Sequence, residues 1–161
     1  LRLIYKTTGA CLSPFDSWLL IRGIKTLHIR MQRQQESAMK IAVWLSSHEK
    51  VRAVHYVGLP THPGYAVSVR QASGFGGMIS FEVDSEKTAL GLLKNVKIIQ
   101  FAESLGGAES LITYPMLQTH ADLPPEVRRQ KGINERLLRL SVGLECAEDL
   151  IADLKQAMEV S

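Results

Sequence analysis

The sequence predicts an α/β fold, an α+β two-layer sandwich of helices on a sheet, on three observations. Short apolar and β-branched runs are separated by stretches of helical spacing along the whole chain, which is the pattern of strands interleaved with helices. Residues 51–57 and 78–83 read as strands bounded by turns and loops rich in Gly and Pro. Residues 147–158 carry one apolar stripe, Ala147, Leu150, Ile151, Leu154, Ala157 and Met158, with Glu148, Asp149, Asp153 and Lys155 elsewhere. That is the mark of a helix laid on a core.

In chain order, residues 1–12 carry no clear period. Ser13-Pro14 is a helix start, a capping hydroxyl followed by a residue suited to the first turn, and a short helix follows over 15–24, punctuated by Gly23. A longer helix is expected over 25–47, because Leu27, Met31, Gln34, Ala38, Ile41, Ala42 and Leu45 recur at helical spacing, with 32–36 a polar, solvated or interface stretch. After the strand at 51–57, residues 58–64 hold Pro60, Pro63 and two glycines and read as a loop. A short helix is expected over 65–72, a turn over 74–77 and a strand over 78–83. Asp84 or Ser85 caps a helix that runs to Asn95, and Glu86 in its first turn suits the helix dipole. Strands follow at 96–101 and 111–114. Pro124-Pro125-Glu126 opens a helix that stops at Gly132, and 137–142 is the last strand.

Composition narrows the function. With 45% hydrophobic and 22% charged residues, the chain has the make-up of an ordinary globular domain able to bury a core. The formal charge of +3 is spread among acids with few interleaved aromatics, so no nucleic-acid footprint is expected. Cys11 and Cys146 form no C-x-x-C pair and read as free thiols. The five histidines have no ligand spacing, so no metal site is expected. No apolar run reaches the roughly 18 residues of a membrane span, and the start lacks an apolar core followed by a small-residue cleavage site.

Gly74-Phe75-Gly76-Gly77 precedes a strand instead of opening a helix and lacks the last glycine of a dinucleotide fingerprint. A Ser-His-Asp triad could be drawn from Ser104, His120 and Asp122, but no G-x-S-x-G elbow supports it. Arg139 stands among Leu137, Leu138, Leu140, Val142 and Leu144. A buried arginine is costly without a partner, and its planar fork of donors suits a carboxylate. Spacing alone equally fits a head group that reaches solvent or pairs with an acid. Ser104 alone reads as a turn serine.

Residues 101–145, FAESLGGAESLITYPMLQTHADLPPEVRRQKGINERLLRLSVGLE, with 13–30, 58–64 (GLPTHPG) and 74–81 (GFGGMISF), shift that balance. Four blocks in this order resemble the C-terminal part of the Cys/Met-metabolism PLP enzymes, the cystathionine β-lyase, γ-synthase and γ-lyase and methionine γ-lyase family. The resemblance implies the small C-terminal domain of a fold-type I PLP-dependent transferase, a mostly antiparallel sheet with helices on one face. It implies that Ser104 and Arg139 hold the α-carboxylate of the substrate. It places Glu103 where a carboxylate could meet the far amino group of cystathionine, a reading no stronger than that of an exposed turn acid. It matches Thr119 to the family's T-H-A block as a substrate contact, while His120 reads as either a titrating group or a structural histidine that hydrogen-bonds a loop.

The resemblance further implies residues 1–24 as a connecting segment towards a PLP-binding domain and 25–161 as the substrate-side domain. The Schiff-base lysine would lie upstream of this sequence, so the chain alone is expected to be inactive. The parent would be a cytoplasmic homo-oligomer, a homotetramer, that binds pyridoxal 5'-phosphate and a sulfur amino acid. The style of residues 111–124 points to cystathionine β-lyase, with γ-synthase, γ-lyase or methionine γ-lyase as the alternatives. A non-catalytic folding or assembly module is the reading from another class.

Overall fold

The computed structural model describes residues 1–118 and 122–160. The chain divides into two units, Leu1–Arg30 and a second that begins at Met31. In the first, α1 (Arg2–Thr8) occupies part of the stretch that has no clear period in the sequence and closes on Gly9 at φ 62°. In α2 (Pro14–Ile24), Ser13 Oγ accepts from the Asp16 N–H and proline takes the first turn, as the sequence predicts. Phe15, Trp18, Leu19, Leu20, Ile21 and Ile24 all remain exposed, and neither α1 nor α2 buries a residue. A helix apolar around its circumference has no solvated face of its own.

The second unit holds most of α3 (Leu27–Ser46), then β1 (Val51–His55), α4 (Tyr65–Gln71), β2 (Met78–Val83), α5 (Glu86–Asn95), β3 (Gln100–Phe101), β4 (Leu111–Thr113), α6 (Pro125–Gln130), β5 (Leu137–Ser141) and α7 (Ala147–Glu159). The sheet order is β1-β2-β5-β4-β3. The β1–β2, β2–β5 and β4–β5 pairs are antiparallel and only β3–β4 is parallel. The period of two along the strands gives the sheet unequal faces. Ile79, Phe81, Val83, Ile112, Leu138 and Leu140 join one core with Ile41 and Leu45 of α3, Ala89 and Leu92 of α5, and Leu150, Leu154 and Met158 of α7. Met78, Ser80, Glu82, Thr113, Arg139 and Ser141 have the opposite parity and line the other face.

Two expectations need correction. Strand β3 covers Gln100–Phe101, not 96–101. Asp153, set off the apolar stripe of the last helix by its spacing, is 4% exposed all the same, and it is the cause of the short strand. Its carboxylate accepts the backbone N–H groups of Lys97, Ile98 and Ile99 at 2.8–3.1 Å, so those donors are spent on a side chain and not on a ladder. Gln156 Nε2 donates to the same carboxylate at 3.1 Å and to Asn95 O at 2.7 Å. The polar stretch of α3 also turns inward. Gln34 is 3% exposed and donates to Gly107 O at 2.7 Å, and Gln35 Oε1 accepts from the Phe75 N–H.

Beyond the end of β1, Tyr56 is fully buried and its hydroxyl donates to Gly76 O at 2.9 Å. Burial disfavours the phenolate and pushes the Tyr56 hydroxyl up from 10.0 to about 12. The folded-state value is raised, so this contribution is complete below pH 10.0 and fades as pH rises towards about 12.

Two outcomes are expected. Asp153→Ala leaves three backbone donors without their acceptor and should lower stability by about 3 kcal/mol or more, read from thermal or urea unfolding. Asp153→Asn, which turns one acceptor into a donor, should fall close behind; a wild-type midpoint for either would mean that water replaces the carboxylate. Tyr56→Phe should flatten the loss of stability between pH 10.0 and about 12, relative to the wild-type pH profile.

Candidate functional site

The polar face of the sheet is built around Arg139 at the middle of β5, the central strand. Its neighbours Leu138 and Leu140 enter the core, and the alternation sends Arg139 to the other side. The pairing register aligns His55, Ser80, Arg139 and Thr113 in one row across four strands. Arg139 Nη2 donates to Thr113 Oγ1 at 3.3 Å, and its buried Nε has no hydrogen-bond partner among the described residues. A buried donor left unpaired costs about 1–3 kcal/mol, a cost that an incoming acceptor would remove. Glu82, one step along β2 from Ser80, lies 3.7 Å from His55 Nε2 and 3.6 Å from Arg136 Nη2. The acid that β2 places on that face is therefore engaged with His55 and Arg136.

The loop after β3 carries Glu103 and Ser104, both exposed. Thr113 Oγ1 donates to Ala102 O at 2.9 Å, and the Gly106 N–H donates to Ser141 Oγ at 2.9 Å. Gly106 adopts φ 75°, a backbone conformation open to glycine. Further along, Gln34 holds Gly107 O, and the Leu144 N–H donates to Ala108 O at 2.7 Å. Ser110, fully buried, gives its N–H to Glu145 Oε1 at 2.7 Å and its hydroxyl to Glu145 Oε2 at 2.8 Å, and its Oγ accepts from the Gly143 N–H at 2.8 Å. A Cβ at Gly143 would collide with Ala108 O, the Glu109 carbonyl carbon and the Glu145 carboxylate, so only glycine admits this close packing.

Of the residues expected at a site, the fold brings the Ser104 loop to the Arg139 strand through Thr113 and Ser141. Glu103 sits on the same loop. Thr119 and His120 lie outside the described residues. Thr113, Ser141, Gln34 and Glu145 are absent from the sequence-based set. Thr113 and Ser141 share the strand parity of Arg139 in their register, but the register itself was not readable from the chain.

The model of the Cys/Met metabolism PLP-dependent enzyme family matches residues 1–159. This chain belongs to that family. A cystathionine gamma-lyase of Bacillus subtilis is 48% identical over 159 residues, covering 99% of this chain and 42% of the relative. A cystathionine beta-lyase of Lactococcus lactis is 47% identical over 97% of this chain and 41% of its own length. The chain thus spans about two fifths of the length of the curated relatives it matches. Among solved structures, a putative O-acetylhomoserine (thiol)-lyase of Campylobacter jejuni superposes with a TM-score of 0.92 at 35% identity, covering 96% of this chain and 37% of the other. The cystathionine gamma synthase of Xanthomonas oryzae in complex with cystathionine gives 0.90 at 44%, over 95% and 40%. The fold is therefore that of the fold-type I PLP-dependent enzymes, with its mixed five-stranded sheet.

The family depends on pyridoxal phosphate. No lysine is buried and none stands on a strand. A guanidinium with a free buried N–H, beside hydroxyls, suits a carboxylate.

Gly143→Ala should cost about 1–3 kcal/mol as the strand end and the loop are pushed apart, measured as a lower urea midpoint with an unchanged slope. An unchanged midpoint would mean that the 108–110 backbone yields without loss.

Proposed function

We propose that this face binds the α-carboxylate of a sulfur amino acid, as the C-terminal, substrate-side part of a PLP-dependent trans-sulfuration enzyme. The observation that carries it is Arg139: a guanidinium whose Nε is buried without an acceptor among the described residues, on β5, which with its neighbour β4 supplies the hydroxyls that hold the Ser104 loop. The charged fork would take the carboxylate and the Ser104 hydroxyl would add a neutral hydrogen bond. Glu103 and Thr119 complete the proposed substrate set, Glu103 for a distal ammonium group. Fixing the carboxylate and one further point sets the orientation of the bonds at Cα, which is a proximity and orientation effect. Solved relatives were captured with L-serine and with cystathionine, both amino acids with that carboxylate.

The reaction we favour for the parent is β-elimination of cystathionine to homocysteine, pyruvate and ammonia. A γ-lyase or γ-synthase is the second reading, because gamma-lyase and beta-lyase relatives match at 48% and 47%. Pyridoxal phosphate supplies the electron sink in this family. The work of this chain in the proposal is to bind and orient the substrate, and alone it turns nothing over.

The test is kcat/KM for cystathionine in the polypeptide that joins this chain to the lysine-bearing part. Arg139→Lys keeps charge but loses the fork, and should cost about 2–3 kcal/mol, roughly tens to a hundredfold. Arg139→Ala should cost more and Ser104→Ala less. Near wild-type activity for Arg139→Lys would make Arg139 structural and place the carboxylate elsewhere. Activity lost only in step with folded protein would count equally against the assignment.

A further inference from the structure

We propose that the Thr113 hydroxyl is the positioning group that holds the Arg139 guanidinium and the Ser104 loop in one frame. The inference rests on the reading of Arg139 and Ser104 as the carboxylate site and adds the residue that sets their separation. Thr113 is 1% exposed and is the cross-strand partner of Arg139. Its hydroxyl has one proton, and that proton goes to Ala102 O at 2.9 Å, two residues before Ser104. The oxygen's lone pairs are thereby left for the Arg139 Nη2 donor at 3.3 Å. Arginine can only donate and a carbonyl can only accept, so the polarity of the chain Arg139 to Thr113 to Ala102 is unique.

Two residues beyond Ser104, the Gly106 N–H is held by Ser141, which shares a strand and a face with Arg139. Segment 102–106 thus hangs at both ends from hydroxyls that flank the guanidinium, one across the ladder and one along it. Threonine suits the first position better than serine, because its branched Cβ restricts χ1 and leaves the hydroxyl little freedom to turn away. Valine would have the same shape and neither hydrogen bond.

Backbone hydrogen exchange in the 161-residue chain tests this without ligand or cofactor. In Thr113→Val, protection at Ala102 and Gly106 should fall about fivefold to tenfold, while Leu140 and Leu154 keep theirs within about twofold. Thr113→Ser should restore most of the protection, and the Arg139 Nε–H resonance should shift in Thr113→Val but not in Thr113→Ser. Unchanged exchange at Ala102 and Gly106 overturns the inference. So does an equal loss at Leu154, which would make Thr113 a general stabiliser. If Thr113→Val does not fold, Thr113→Ala is measured in its place; failure of both to fold also overturns it, since a hydroxyl needed for folding is no positioning device. Failure of the carboxylate reading shows separately, as near wild-type kcat/KM for Arg139→Lys, and leaves the exchange result standing.

Discussion

Strand β5 has to satisfy two environments at once, and the rest of the domain is arranged around that demand. It is the middle strand of the sheet, paired along its length with β2 and over Arg139–Ser141 with β4. Only its faces remain free to differ. Leu138 and Leu140 complete the core under α3, α5 and α7, while Arg139 and Ser141 stand on the far side. A one-residue slip would send the guanidinium into the apolar layer, at a cost far above that of any single hydrogen bond here. The leucines thus fix where the arginine points, and the apolar core and the polar face are settled by one register.

Much of this was legible in the chain. Ser13 and Ser85 announced their helices by capping chemistry, and the stripe from Ala147 to Met158 announced the last one. The arginine inside an apolar strand was visible as a local conflict, and such conflicts gather at functional positions. Other features were hidden for a physical reason: their explanation lies far away in sequence. Nothing near Lys97 tells that its N–H will meet the carboxylate of Asp153, so the apolar run before Phe101 read as one long strand. Asp153 in turn looked like a surface acid, because helical spacing places it beside the stripe and says nothing of the three donors that cover it. Thr113 and Ser141 became site residues only when pairing put them beside Arg139.

The relatives sharpen what the domain does and does not decide. Proteins named for lysis and for synthesis both align with nearly the whole chain, at 48% for a gamma-lyase and 42% for a gamma-synthase. The elements described here are accordingly common ground among enzymes with different reaction names.

The two carboxylates that hold the loop and its approach, Asp153 and Glu145, both lie downstream of the segments they hold. Asp153 ties down residues 54, 55 and 56 positions earlier, and Glu145 ties down Ser110, 35 positions earlier. The anchor of the Ser104 loop at Ser110 and the turn before β3 therefore depend on residues that follow them by 35 to 56 positions, so both are non-local closures that the flanking strands alone do not supply.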